Sequence, residues 1–534
     1  MTSGDTPASL PEIAPALERT AAQYDAIPYQ SKPFPSTHPA RLAAIGKLFD
    51  LTPPPLRTAR ILEIGCAAGG NIIPLAAHLP DATCLGIDLS GVQIEQGQRR
   101  AESMGLGNVT LRQQSVTEIG PDDGPFDYII CHGVYSWVPA TVREAILRVC
   151  GERLSDNGMA IVSYNVMPGW HMKLVVRDSM IAHAAHIPDP SQKAAQARWF
   201  IDLLKDRVSK ETPYGNALRT ELEHIADLRD DYVMHEFLED ENNPCTVTEF
   251  VRAAERARLS YLGDTQLHTM IADGYGEATA AALQQLSRNR LLAHEQYIDI
   301  ITGRTFRQSI LVKAATMGPV QRPLNPRRLM DLHVAAQLTM TPGPEGSGKR
   351  TYRDRTARTL TTDSATVHAA LDALMARYPG TVTPAELIEA AAPAEAARHD
   401  TAVFDALGEM MNAGMLDFYI EPLRVGSADT RRPTAIALAR FDAAHGASLT
   451  ANLRHEEVSL DISGQLLVPL LDGTRDREAL CTDLLQAMAG RDMQLKQDDA
   501  PITEPDAQRD AALQLIDFLL TSLAAGALLQ ADSA

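Results

Sequence analysis

Between Ala59 and Tyr164, short apolar runs alternate with longer stretches in which apolar positions recur every three or four residues. Such alternation builds a parallel sheet with helical crossovers. It predicts strands over Ala59–Gly65, Thr83–Asp88, Val109–Gln114, Phe126–His132 and Met159–Tyr164. Ser90-Gly-Val-Gln93 and Thr141-Val-Arg-Glu144 have the spacing of a capping box at a helix start, and Asn157-Gly158 supplies a turn before the fifth strand. Two further strands are expected over Tyr232–Leu238 and Ser260–Leu267, with a helix from Thr248 to Arg258 between them. The expected fold is an α/β, Rossmann-like sheet of seven strands that closes near residue 270.

Pro188 to Ala226 reads as helical, with Asp189-Pro190 as cap and first helical residue, and so as an insertion or lid. Residues 271–320 alternate Ala/Leu-rich helix with the segment His294–Ile301, expected to pack on the sheet. Thr341-Pro-Gly-Pro-Glu-Gly-Ser-Gly348 reads as a flexible linker. Beyond it lie two small, mainly helical units at about 360–420 and 445–530. Val458 to Leu480 is expected to form a strand pair followed by a helix, in the manner of small winged-helix modules that bind peptides or serve as packing and dimerisation surfaces.

Composition narrows the function classes. A chain of 534 residues is long enough for two to four domains. Its apolar runs are broken before the ~18 residues a membrane helix needs, and Met1-Thr-Ser-Gly-Asp-Thr-Pro7 lacks the basic and apolar parts of a secretory signal. The expectation is a cytoplasmic protein without membrane insertion. Six scattered cysteines with no CxxC pair disfavour disulfides and a zinc ribbon. A net charge of −19 repels polyanions, so a protein, peptide or small molecule is a better partner than nucleic acid.

Ile61-Leu-Glu63-Ile-Gly65-Cys-Ala67-Ala-Gly69-Gly70-Asn71 falls where the first strand turns into the first helix. Glycines there let the backbone approach a ligand. In dinucleotide-binding proteins the same place carries GxGxxG beneath a pyrophosphate, but here Ala67 replaces the second glycine and Glu63 adds a carboxylate two residues before the first. That acid suits a ligand with cationic groups, which favours S-adenosylmethionine over NAD. Asp88, nineteen residues after Gly69, ends the second strand, where a carboxylate takes both ribose hydroxyls, with Leu89 beside it. Gln114 and Ser115, after the third strand, stand where the adenine edge is expected.

These motifs, with Gly86-Ile-Asp88-Leu-Ser90, resemble class I methyltransferases. Four longer strings are similar to bacterial members that carry a methyltransferase regulatory domain, among them protein-lysine methyltransferases of surface proteins. They are Tyr24–Tyr29, Phe126–Pro139, Ser163–Trp170 and His235–Glu239, within a likeness spanning about 20–315. The resemblance implies cofactor contacts at Glu63, Gly65, Ala67, Gly69 and Asp88, with Tyr24 and Tyr29 folding over the cofactor from an N-terminal segment (1–45). It further implies a regulatory segment at about 220–315. The order of elements along the chain itself suggests a catalytic domain over 46–270 with a helical insertion at 172–230 and a regulatory-type segment at 271–320 packed on it. A linker at 321–350, a helical domain at 351–440 and a winged-helix-like domain at 441–534 would follow.

Ligands of a doubly wound sheet bind outside the carboxyl ends of its strands. The methyl acceptor is therefore expected among His132, Tyr135, Trp137, Tyr164, Asn165 and Trp170. Methyl transfer is an in-line displacement that depends on alignment and desolvation. Aromatic faces at 135, 137 and 170 would line a lysine channel or pack the core; Tyr164 and Asn165 would orient the acceptor nitrogen or make the turn. His132, and His235-Glu236, are read either as proton acceptors or as structural residues. The expected activity is methylation of protein lysines. Methylation of a small molecule or peptide natural product, and a non-catalytic cofactor-binding module, are the alternatives; a homodimer is compatible with each. Gly343–Arg350 nearly matches a P-loop, but Arg350 stands in place of the magnesium-binding hydroxyl residue. His294-Glu295 and His455-Glu456 lack a second histidine, so no metal is expected.

Overall fold

Arg60–Ile64 (β1) is the strand on which the sheet is centred, and all but its first residue are buried, as suits a run apolar on both faces. The computed structural model describes residues 15–531 except 16, 20, 23, 26–28, 188, 227–232, 234, 235, 240, 317–325, 392–400, 498 and 499. On one side of β1 lie Thr83–Asp88 (β2) and Val109–Gln113 (β3), on the other Phe126–Cys131 (β4) and Leu154–Asn165 (β5), all parallel. With Leu259–Asp264 (β6) and Phe306–Lys313 (β7) added, the order β3-β2-β1-β4-β5-β7-β6 changes direction of winding between β1 and β4, which places a ligand-binding crevice at their carboxyl ends.

The last two strands correct the sequence reading. Leu259–Asp264 (β6) is close to the expected Ser260–Leu267, but its neighbour is Phe306–Lys313 (β7), which runs antiparallel between β5 and β6. The sheet therefore closes at residue 313 rather than near 270, and the segment 271–320 supplies a strand of the sheet instead of only packing on it. In the expected sixth strand, Tyr232–Leu238, the described residues Val233, Glu236 and Phe237 are helical.

β7 is hidden in the sequence by its polar first half, Arg307-Gln-Ser309, in which Arg307 is a buried charge. Its guanidinium reaches Asp299 at 2.7 Å and Glu295 at 3.0 Å, and all three side chains are buried. Both acids come from the helix Leu291–Thr302, and Tyr261 of β6 accepts a further bond from Arg307 at 3.2 Å. Pairing of this kind is what makes a buried charge tolerable.

Local signals hold unevenly. Ser90 caps the helix Gly91–Ser103 through the Gln93 amide, and Asp189 caps Pro190–Arg207 through that of Gln192. The expected box at Thr141 does not form: the helix Ala140–Arg153 starts after Pro139 without a side-chain cap. The insertion consists of the helices Trp170–Ala184, Pro190–Arg207 and Pro213–Ala226, which share an apolar core that includes Met180, Ile201 and Leu222.

The chain divides into two compact units, the second made of 32–52, 77–80 and 321–534. Residues 32–45 thus leave the proposed N-terminal lid. The expected linker at 341–348 is instead the turn of a hairpin between Leu338–Pro342 and Arg350–Asp354, closed by the Gly343 amide on the Lys349 carbonyl at 2.8 Å. Its Gly/Pro content serves a turn, with Gly346 and Gly348 at positive φ. Toward the C-terminus, Leu449–Ala451 pairs with Glu457–Ser459, and the helices Ile462–Leu467, Arg477–Ala489 and Pro505–Ala525 pack around Leu467, Leu480, Leu484 and Leu520. The strand pair thus lies before the expected position, and a short helix occupies 462–467. Among the described residues, no helix is long and apolar enough to cross a membrane.

The second unit buries three histidines together. The rings of His38 and His455 meet edge to face at 5.2 Å. Burial pushes the pKa of His38 down to about 3, of His78 down to about 4, and of His455 well below its usual value; a charge on His78 further opposes one on His38, and both oppose one on His455. Unfolded, these histidines would take up protons below about pH 6.5, so the unfolded state binds more protons and stability falls as pH drops from there toward 4. Melting temperatures measured across that range should fall, and His78→Leu, which removes a buried Nε2 without a partner, should make the fall shallower. An unchanged slope in the variant would show that His78 does not titrate on unfolding.

Candidate functional site

At the end of β1 the chain makes a turn that only small residues permit. Gly65 has φ +75°, and a Cβ there would lie 2.4 Å from Cγ2 of Val134. Ala67 is also left-handed, at φ +49°. The strain is offset by hydrogen bonds: the amides of Gly65 and Cys66 both donate to the Ile87 carbonyl, and that of Ala67 donates to Oδ2 of Asp88 at 2.8 Å. The other oxygen of Asp88 accepts from the Ser90 amide at 2.9 Å. Each carboxylate oxygen keeps a second lone pair for a ligand hydroxyl. Burial pulls the Asp88 pKa above its usual value, against the opposing effect of these amides.

Glu63 is 4% exposed and stands behind the turn. Its Oε1 accepts from Nδ2 of Asn71 at 2.8 Å, whereas Oε2 is buried without a partner. Burial pushes its pKa up to about 8; the Asn71 bond acts the other way, and the nearby Asp88 adds to the rise. An unmatched buried carboxylate destabilises unless a donor reaches it. The donor set here, two carboxylates beside a tight backbone turn, fits a ligand with an ammonium and a ribose and repels a pyrophosphate.

The N-terminal segment is fastened over this turn at two points. Ser31 Oγ accepts from the Gly70 amide at 2.6 Å, and Asp25 accepts from the Ser90 hydroxyl at 2.6 Å. Beside the Asp25 anchor, the Tyr24 hydroxyl is held above its usual pKa by burial, then by the charges of Glu239 and Asp88. Tyr24 thus shares the electrostatic surroundings of Asp88. Of the base-edge pair, Ser115 uses its hydroxyl to cap the turn Val116–Glu118, while the Gln114 side chain forms no protein hydrogen bond among the described residues. The Leu89 carbonyl accepts from Gln113.

On the acceptor side the six expected residues separate. Tyr135 and Tyr164 belong to the core, a correction to their proposed catalytic roles: Tyr164 stacks on Phe250 at 4.1 Å and shares a hydrogen bond with Ser309, and Tyr135 meets Phe250 edge-on at 5.2 Å. His132 lies edge-on to Phe306 at 5.8 Å. Trp137 and Trp170 do come together, their rings 6.1 Å apart at 76°. Trp170 starts the helix Trp170–Ala184, and one turn on, the Lys173 ammonium stands 5.3 Å from its ring and 5.8 Å from that of Phe237. Asn165 is buried and donates from Nδ2 to Oδ1 of Asn242 at 3.3 Å. His235 lies outside the described residues; Glu236 is half-buried, and loss of solvation raises its pKa, with Lys173 opposing.

Sequence reasoning overlooked Asp25, Ser31, Asn71, Lys173, Phe237 and Asn242. The three-residue step from Trp170 to Lys173 is a helical signal that was available; the others stand on separate segments, Asp25 and Phe237 in helical turns and Ser31, Asn71 and Asn242 outside helices and strands. Among the described residues, no cluster of three or more His, Cys, Asp or Glu side chains forms a metal site.

Comparison with known proteins agrees with this geometry. Residues 61–158 match a family described as a methyltransferase domain, 229–313 a predicted methyltransferase regulatory domain, and 431–528 a PKMT C-terminal winged helix domain. Two uncharacterized proteins of Rickettsia prowazekii are each 40% identical: RP789 over 290 residues, 54% of this chain and 52% of that protein, and RP028 over 240 residues, 45% of this chain and 96% of that protein. The chain thus matches about half the length of RP789. The solved structure of PKMT2 from Rickettsia typhi is 28% identical with a TM-score of 0.84, covering 94% of this chain and 100% of PKMT2, and it has also been solved with AdoHcy. The chain belongs to the class I, S-adenosylmethionine-dependent methyltransferases that carry a methyltransferase regulatory domain.

Proposed function

We propose that this methyltransferase transfers methyl groups to lysine side chains of a protein substrate. The observation that carries the reading is the aromatic pair Trp137–Trp170 with the Lys173 ammonium seated over the Trp170 and Phe237 rings. These faces accommodate a lysine head group of the chain itself, and aromatic faces attract ammonium and methylated ammonium alike. The likeness to PKMT2, whose name marks a protein-lysine methyltransferase, supports the same substrate class.

Bound S-adenosylmethionine supplies an electrophilic methyl group on a sulfonium. Glu63 receives the ligand ammonium, Asp88 the ribose hydroxyls and Gln114 the base edge, while Gly65, Ala67 and Gly69 let the backbone approach. Tyr24, next to the anchored Asp25, covers the ligand and excludes water. Trp137 and Trp170 hold the stem of the acceptor lysine, and Asn165 accepts an N–H of its nitrogen. Alignment and desolvation account for most of the rate in such a displacement.

Incubation of the full chain with S-adenosylmethionine and candidate surface proteins, followed by peptide mass spectrometry, should show methyl groups on lysines. Transfer confined to another residue type or to a small molecule would overturn the assignment. Because Glu63 titrates near 8 in the free protein, an ammonium ligand must displace its proton at pH 7. AdoHcy affinity should therefore rise by up to about tenfold per pH unit until about pH 8 and then level off; calorimetry in buffers of different ionisation enthalpy should register the released proton, and a flat profile would place the ammonium elsewhere. Asp88→Ala should weaken AdoHcy binding by roughly 2–4 kcal/mol, read by the same titration. Trp137→Ala should leave that affinity intact and lower turnover about tenfold or more; loss of AdoHcy binding would move Trp137 into the cofactor pocket.

A further inference from the structure

A segment of the regulatory region is tied directly to the acceptor edge of the sheet. The guanidinium of Arg177 donates to the carbonyls of Phe237 and Glu239. The Asn243 amide donates to the Ser136 carbonyl at 2.7 Å, the Cys245 amide to the Asn165 carbonyl at 3.1 Å, and the Met167 amide to the Cys245 carbonyl at 3.1 Å. Residues 241–245 are thereby fixed between the loop after β4 and the end of β5.

From this strap, Asn242 reaches Asn165. The Asn165 backbone is already held, its N–H donating to the Ser136 hydroxyl at 2.9 Å, so its side chain has only the amide orientation left to set. A primary amide presents a donor end and an acceptor end. With Nδ2 bonded to Oδ1 of Asn242, the opposite end is Oδ1, which receives no protein donor among the described residues. Asn165 is 3% exposed, so the wrong orientation would leave a buried mismatch rather than be relieved by bulk water.

We propose that Asn242 is a positioning residue: it holds the Asn165 amide so that the carbonyl oxygen, not the NH2, faces the acceptor nitrogen. The regulatory region then serves in the reaction itself, by selecting an N–H-bearing acceptor. The inference rests on the lysine reading given above and deepens it. An amine entering with its lone pair toward the methyl group still carries N–H bonds, and a fixed carbonyl oxygen accepts one of them and aligns the nitrogen. Oxygen-methylating chemistry would draw no comparable benefit, because a deprotonated oxygen has no hydrogen to give.

The test uses the full chain with poly-L-lysine as acceptor and compares Asn242→Leu with Asn242→Asp. Leu removes the contact; Asp can only accept, so it keeps the Asn165 amide in the stated orientation. Asn242→Leu should lower kcat about tenfold with AdoHcy affinity unchanged, while Asn242→Asp stays within about twofold of the parent. Equal kcat in Asn242→Leu, or an Asp variant worse than the Leu variant, would overturn the proposal, the latter because it means the pair is bonded the other way round. If the parent methylates no lysine, the lysine reading fails on its own. Crystal structures of both variants with AdoHcy then decide the positioning claim: the Asn165 side chain should turn in Leu and stay in Asp, and an unmoved side chain in both overturns it.

Discussion

The Asp88 carboxylate, accepting the amides of Ala67 and Ser90, is the constraint on which the site depends. It joins the turn after β1 to the turn after β2, and so holds a left-handed alanine in a conformation that would otherwise be unfavourable. The same bonds orient the carboxylate itself. A group that is fixed before the ligand arrives loses little freedom when it binds, which is the physical content of preorganisation.

Around that link the site is assembled from parts distant in sequence. The N-terminal segment is hung from Gly70 and Ser90, the two helix starts that flank the crevice. The helical insertion brings Trp170 and Lys173, and the strap of the regulatory region closes against both acceptor-edge loops. A shared electrostatic environment runs through these parts, since Tyr24 feels Asp88 on one side and Glu236 and Glu239 on the other.

What could be read in advance follows from what each part asks of its residues. Strands β1, β2, β4 and β5 were legible because their central residues are buried on both faces and must be apolar, whereas β3, the edge strand with only Leu111 buried, was legible from its place in the strand–helix alternation. β7 was not, because Arg307 breaks its run and is neutralised by two acids in a helix eight and twelve residues earlier. Tyr232–Leu238 is a short stretch of the kind that fits either period, and its described residues Val233, Glu236 and Phe237 are helical by tertiary context. Glu63 and Asp88 stand together at the turn after β1 as the strand–turn–helix pattern suggests, because the ends of adjacent parallel strands meet there. Tyr135 and Tyr164 were misplaced for a geometric reason: successive strand residues face opposite sides, so Tyr164 enters the core while Asn165 meets the strap. Strand-end position alone does not state which side faces the ligand.

The antiparallel insertion of β7 between β5 and β6 has a bearing on modularity. Residues 229–313 form a recognisable sequence family, yet their last strand lies inside the catalytic sheet. A gene rearrangement that separated the two would leave β5, apolar along most of its length, with a bare row of amides and carbonyls, the kind of edge that recruits strands from other chains. Catalytic and regulatory parts of this fold are therefore bound to be inherited together, and variation in partner choice must arise by changing loops and strap residues rather than by exchanging whole modules.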